Sequence, residues 1–349
     1  MKTNQLILAT AAVLALAACN KDEFAPRNSF GDEIGFNAVT AKATKANNAI
    51  ITGTTYATDN SFKVWGWQSQ AGDFSDVANN AASNFMSDLT ISYCGGPKGR
   101  ADAWRNADHY YYWPFTGKIS FLAVHPSTVA PSTTGWDATN KKPQATFADY
   151  TIAAGNKTVD LMLANNEGAR RSDALPMVFK HALSQIQFRV RTNDDYSADA
   201  TFKVNSVTIN NIDLSGDLAY ANDAFTWNDN AAQTENWPYY ATTATVAYAA
   251  TDAAAALYGD ANVMIPQAAN ADDPATAGVL EGTTLTINYT LEQTGSAAIT
   301  GDVTVGAAQE WVAGKKYIYT LNFKLNEITF APEVTDWVDV EIATINILD

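Results

Sequence analysis

Short apolar and polar alternations run through the chain, and long amphipathic periods are missing from it, a pattern that predicts strands and turns. In the first half the apolar or alternating runs fall at 34–39, 50–55, 62–67, 89–93, 109–113, 119–124, 147–152 and 159–163, separated by Gly, Pro, Asn and Asp. Eight strands in about 130 residues suit one β-sandwich. Further on, Ile186, Phe188 and Val190 alternate with Gln187 and Arg189, and strands are expected at 202–209, 263–265 and 285–291. The clearest pattern is 316–325, where Tyr317, Tyr319, Leu321, Phe323 and Leu325 share one face and every other position except Ile318 is polar. It predicts a strand buried on one side and wet on the other. Residues 229–278, rich in Ala, Thr, Asn and Asp, read as decorated loops with one helical turn at 253–257.

The ends set the organisation. Lys2 precedes one apolar run, residues 6–18, which is too short to span a bilayer and reads as a signal-peptide core. Leu16-Ala17-Ala18-Cys19 follows the pattern of a bacterial lipobox, so residues 1–18 are expected to be removed and Cys19 to carry lipid. Several acyl chains would hold such a protein on a membrane without a spanning helix. Lys21, Asp22 and Glu23 then look like the basic-acidic-acidic export signal of surface lipoproteins in Bacteroides-like bacteria, which points to the outer face of the outer membrane. Residues 19–32, broken by Pro26 and Gly31, read as a tether. The polar segment 164–176 reads as a boundary, giving an N-terminal domain over 33–170 and a C-terminal one over 171–349.

Charge narrows the partners. With 37 acidic against 22 basic residues the formal net charge is −15, which argues against nucleic acid, whose phosphates call for Lys and Arg. The chain has 2 cysteines, and with Cys19 lipidated, Cys94 has no partner for an internal disulfide. Packed cores must supply the stability, and about 330 residues suffice for two.

Candidate chemistry is sparse. His109, His125 and His181 show no paired-ligand spacing, and no GxSxG elbow, P-loop or GxGxxG precedes a helix, so neither a metal, a cofactor nor an enzyme activity is expected. Cys94 in Tyr93-Cys94-Gly95-Gly96 has two readings, a thiolate nucleophile or a small half-buried residue ending a strand, and the second is preferred. Trp65, Trp67, Tyr110, Tyr111, Tyr112 and Trp113 could stack on sugar rings, but alternate residues of such a run must point into the core.

Taken in order, several segments resemble the fimbrillin family of Bacteroides-type bacteria. They are Ile34-Gly35-Phe36, Phe62-Lys63-Val64-Trp65-Gly66, Tyr112-Trp113-Pro114, the run 119–126, Phe179-Lys180-His181-Ala182-Leu183, the run 311–319 and Val334-Thr335-Asp336-Trp337. The resemblance implies an all-β fold of two tandem transthyretin-like β-sandwich domains with antiparallel, Greek-key-like sheets and few short helices. It further implies a subunit of a type V pilus, assembled head-to-tail with other subunits by strand exchange after a trypsin-like protease removes the first strand. Cutting after Arg27 would leave the strand at 34–39 attached, whereas Lys45, or second Lys42, would remove tether and strand together. Family precursors often carry Arg at this place. The tail 338–349 has two readings, a donor strand or the last strand of its own domain. A surface binding module, either a tip adhesin or a glycan-binding lipoprotein meeting host or bacterial glycans or proteins, stands as the alternative function.

Overall fold

Both faces of the run 119–124 are buried. Ile119, Phe121 and Ala123 join one core cluster, while Leu122 and Val124, on the same face as the buried Ser120, belong to the other side. A strand covered on both faces must lie between two layers. The computed structural model describes residues 33–40, 56–95, 102–153, 157–171, 173–229, 235–267, 282–307, 310–325 and 327–336, and within them this strand is the wall shared by a barrel and a second sheet.

The chain-order strands of the first part are β1 (Phe36–Thr40), β2 (Ser61–Ser69), β3 (Met86–Cys94), β4 (Ala103–Arg105), β5 (Lys118–His125), β6 (Thr133–Asp137), β7 (Lys142–Thr151), β8 (Met162–Gly168) and β9 (Leu175–His181). Seven of them close into a barrel in the order β1-β4-β3-β2-β5-β8-β9. Its interior holds Phe36, Phe62, Phe121, Phe179, Tyr56 and Met177 among others. On the outer wall, Trp65 and Trp67 of β2 with Leu122 and Val124 of β5 meet Trp136, Ala145 and Phe147 of β6 and β7, and the Trp67 and Trp136 ring centroids lie 6.1 Å apart.

The second sheet crosses the chain's midpoint. β12 (Ser215–Ala221) and β13 (Ala224–Asp229) extend β6 and β7 into a four-stranded sheet, β13-β12-β7-β6. The remaining strands form two sheets. One is β16 (Ala256–Met264), β10 (Ser184–Thr192), β19 (Lys315–Lys324) and β20 (Glu327–Asp336) in that order; the other is β14 (Glu235–Tyr240), β11 (Ala200–Ile212), β17 (Thr284–Gln293) and β18 (Ile299–Gly306), with β15 (Ala244–Val246) also on β11. Phe188 of β10 stacks on Tyr319 of β19 at 5.5 Å and meets Tyr239 of β14 edge-on at 4.6 Å, so the two sheets enclose one core.

The all-β reading holds, with three corrections of detail. Residues 109–113 form no strand; Tyr112 makes a single bridge to Glu33 while Trp113 turns inward. The stretch 235–264, expected as loops, carries β14, β15 and β16, because Trp237, Tyr239 and Tyr258 are buried among its small residues; the one helical turn is a 3-10 turn at Asp252–Ala254. β19 is not wet on one side, since Ile318 and Thr320 are buried as well. The segment 164–176 lies within β8, the β8–β9 connection and the start of β9, and the change from the barrel to the next sheet falls at Ala182-Leu183. The strand expected at 50–55 lies outside the described residues.

Candidate functional site

Closure of the barrel depends on its longest-ranged connection, the seam made by β1. This strand runs parallel to β9 through five register pairs, Phe36 with Leu175 to Thr40 with Phe179, and meets β4 at one pair, Phe36 with Trp104. Parallel neighbours cannot be joined by a hairpin, so β1 and β9 are distant in sequence although adjacent in space. The Leu175 amide donates to the Gly35 carbonyl at 2.8 Å, and the Ile34 amide to the Tyr111 carbonyl at 2.7 Å.

Alternation decides what β1 contributes. Ile34, Phe36 and Ala38 point into the barrel and are almost fully buried, whereas Asn37 between them is exposed. Phe36 meets Phe121 edge-on at 5.1 Å and Phe62 at 6.1 Å. Just before the strand, Glu33 pairs with Arg105 of β4 at 3.3 Å, with both side chains buried.

At the far end of the seam lies a buried polar group. Thr40 pairs with Phe179, whose ring stacks on Tyr56 at 5.1 Å. The Tyr56 hydroxyl is 2.6 Å from Nδ1 of His125, and Nδ1 of His181 is 2.7 Å from the Asp160 carboxylate. Burial pushes the Tyr56 hydroxyl up, helped by the Asp160 charge, and pushes His125 down. These groups rivet strands to one another. Cys94 is half-buried at the end of β3, and burial raises its thiol, the opposite of what a nucleophile needs.

Without β1, strands β4 and β9 would become open edges beside an apolar groove. The sequence located the strand itself, but not the Glu33–Arg105 pair, whose members lie 72 positions apart. Cys19, Lys21, Asp22, Glu23, Lys42, Lys45 and the tail 338–349 lie outside the described residues. Of the aromatics considered for sugar stacking, Trp65, Trp67 and Trp113 are core, Tyr110 and Tyr111 are half-buried, and Tyr112 is exposed.

The Fimbrillin-like family model matches residues 32–337, from just before Glu33 to just past β20. The chain belongs to the fimbrillin-like family. Its strand architecture is similar to that of a fimbrial protein from Bacteroides vulgatus, at 17% identity and a TM-score of 0.57, over 88% of this chain and 100% of that one. A candidate cell adhesion protein from Bacteroides uniformis is 16% identical over 88% of this chain and 98% of its own, with a TM-score of 0.45; one from Bacteroides ovatus is 14% identical over the same shares, with a TM-score of 0.48. No curated protein matches the sequence. As a fimbrillin-like protein the chain is a non-enzymatic structural protein with a fimbrial role at the cell surface.

Proposed function

We propose that this fimbrillin-like chain is a structural subunit of a surface fimbria, exported as a lipoprotein through Cys19 and assembled with other subunits by strand exchange. Lys21, Asp22 and Glu23 direct the lipidated precursor to the outer face of the outer membrane. A protease then cuts after Lys45, with Lys42 as the second site, and frees β1 from the rest of the chain. The seam carries the reading: among the described residues β1 is the first strand in sequence and also the one that closes the barrel.

The physical logic is that of an edge and a groove. Burying Ile34 and Phe36 contributes about 1.5–3 kcal/mol each, and the same free energy is available to any strand that replaces them. An incoming strand would pair with β9, and with β4 where it reaches, and refill the apolar interior, a form of strand addition. Groove and donor are different surfaces, so the contact repeats head-to-tail and need not close into a ring. The tail 338–349 is the proposed donor; ten extended residues reach about 33 Å, enough to cross a sandwich.

The test is protease treatment of the purified full-length precursor, read on an unboiled gel and by N-terminal sequencing. A new terminus at Ala46 with detergent-resistant ladders supports strand exchange. A cleanly cut chain that has lost β1 and stays monomeric overturns it.

A further inference from the structure

A second feature lies on the outer wall of the barrel, where β8 and β9 pass beside β7 and β12. A cavity of about 380 Å³ opens there, within the size range of small-molecule sites. Its floor is the buried Ser120 and Tyr220, and its mouth is made by the exposed Lys141, Glu167, Val178 and Lys180. The lining brings together Lys141, Lys142 and Lys180 against two carboxylates, a local excess of positive charge on a chain whose net charge is −15.

One residue organises these groups. Asp223 sits in the tight turn between β12 and β13 with φ of 64°, beside Asn222 with φ of 48°. Its carboxylate accepts from Lys142 and from the Asn165 amide, the latter at 2.5 Å, and lies 3.3 Å from the Tyr220 hydroxyl. Its backbone carbonyl accepts from Lys180 at 3.2 Å. Burial alone would raise the Asp223 carboxyl, but the hydrogen bonds from Lys142 and Asn165 and the charges of Lys142 and Lys180 hold it below the usual range. Two ammonium groups are thereby pinned on one side of the cavity. Each has three N–H donors and the network uses one, which leaves donors for an incoming anion.

The rest of the lining fits hydroxyl groups, which both donate and accept. Asn166 and Ser120 offer both functions, Asn165, whose two amide N–H groups go to Asp223 and Tyr220, accepts through its Oδ1, Glu167 accepts beside its partner Lys118, and Val178, 45% exposed, gives a small apolar wall. A bare inorganic anion would use the ammonium groups and leave this remainder without purpose. We propose that the cavity binds an acidic sugar, a hydroxylated ring bearing one carboxylate, with Lys142 and Lys180 on the carboxylate and the asparagines on the hydroxyls. The lining side chains of β9, Val178 and Lys180, lie on the face of that strand opposite the barrel interior that β1 fills.

The experiment is titration of the isotopically labelled full chain at low salt with glucuronate, glucose and inorganic sulfate, followed by amide chemical shifts. Glucuronate is expected to shift amides of β8, β9 and the β12–β13 turn saturably, and glucose and sulfate to bind at least tenfold more weakly. Lys180→Met removes one ammonium at an exposed position and is expected to weaken glucuronate at least tenfold with the thermal midpoint unchanged. No saturable shift with glucuronate, equal binding of sulfate, or unaltered affinity in the folded variant would each overturn the assignment.

Discussion

Arg105 holds its Nε 3.3 Å from a carboxylate oxygen of Glu33, and the two side chains are only 4% and 2% exposed. The pair ties Glu33, three positions before β1, to the last residue of β4, where backbone pairing between the two strands is limited to Phe36 with Trp104. Removing one partner of a buried ion pair costs on the order of 3–5 kcal/mol, because the other charge stays out of water. Glu33→Gln is therefore expected to lower the unfolding free energy by about 3 kcal/mol, read from the midpoint of a urea titration. Asn37→Ser, on the exposed side of the same strand, should change it by less than about 0.5 kcal/mol. Equal effects at the two positions would show that the ion pair does not secure the strand.

The same anchoring predicts how a nicked precursor behaves. Cleavage after Lys45 cuts only the connection that follows β1, and leaves five register pairs, the buried Ile34, Phe36 and Ala38, and the Glu33–Arg105 pair in place. The N-terminal peptide should thus stay bound after cutting and leave only when another strand competes for its place. Native mass spectrometry of the nicked protein is expected to show the peptide retained, and dilute denaturant or a synthetic peptide of residues 338–349 to release it. Spontaneous loss within minutes of cleavage would mean that the seam is weaker than its contacts imply.

How much of this was legible follows from the kind of signal each feature leaves. The alternation of Ile34, Phe36 and Ala38 is local, and so β1 was found; the alternation along 316–325 likewise announced β19. What sits on the far face of a strand is not local. Ile318 and Thr320 are buried by whatever layer covers β19 from outside, and nothing in their own segment says that such a layer exists. β14 was hidden for a related reason, since Trp237 and Tyr239 are diluted among Asn, Ala and Thr, and Pro238 argues against a strand. A polar hairpin on a barrel and a linker between domains share one composition, so the sequence does not tell which of the two 164–176 is. The lysines of the cavity left no trace at all, because Lys142 and Lys180 come from strands of different sheets and are brought together only by Asp223.

Packing across the barrel rim gives a further test. A β-carbon at Gly168, the last residue of β8, would stand 2.7 Å from Cη2 of Trp113 and 3.1 Å from Leu175, so the indole occupies the space a side chain would need. Gly168→Val should force Trp113 outward and cost about 1–3 kcal/mol, as overpacking of a filled core does. Gly306, at the end of β18, has open space around the same position, and Gly306→Ala is expected to be close to neutral. Thermal midpoints of both variants check this. A neutral Gly168→Val would mean that Trp113 does not seal the rim.

Acid should loosen the barrel through His125. Burial holds this imidazole below its ordinary 6.5, and the groups around it are the Tyr56 hydroxyl at 2.6 Å, the Ser61 carbonyl at 3.1 Å, and the Asp160 and His181 charges. The Asp160 charge and the Ser61 carbonyl pull the other way, and burial prevails. A histidine depressed in the folded state binds fewer protons there than in the unfolded chain. The contribution is complete above 6.5 and declines as the pH falls from 6.5 towards the lower folded value. Unfolding free energy measured by urea between pH 8 and pH 5 is accordingly expected to be flat at first and to fall below about 6.5. In His125→Asn the fall over that window should be smaller, although the variant begins from a lower stability through loss of the Tyr56 contact. A wild type and a variant that decline in parallel would place the acid sensitivity elsewhere, among the carboxylates, whose window lies lower.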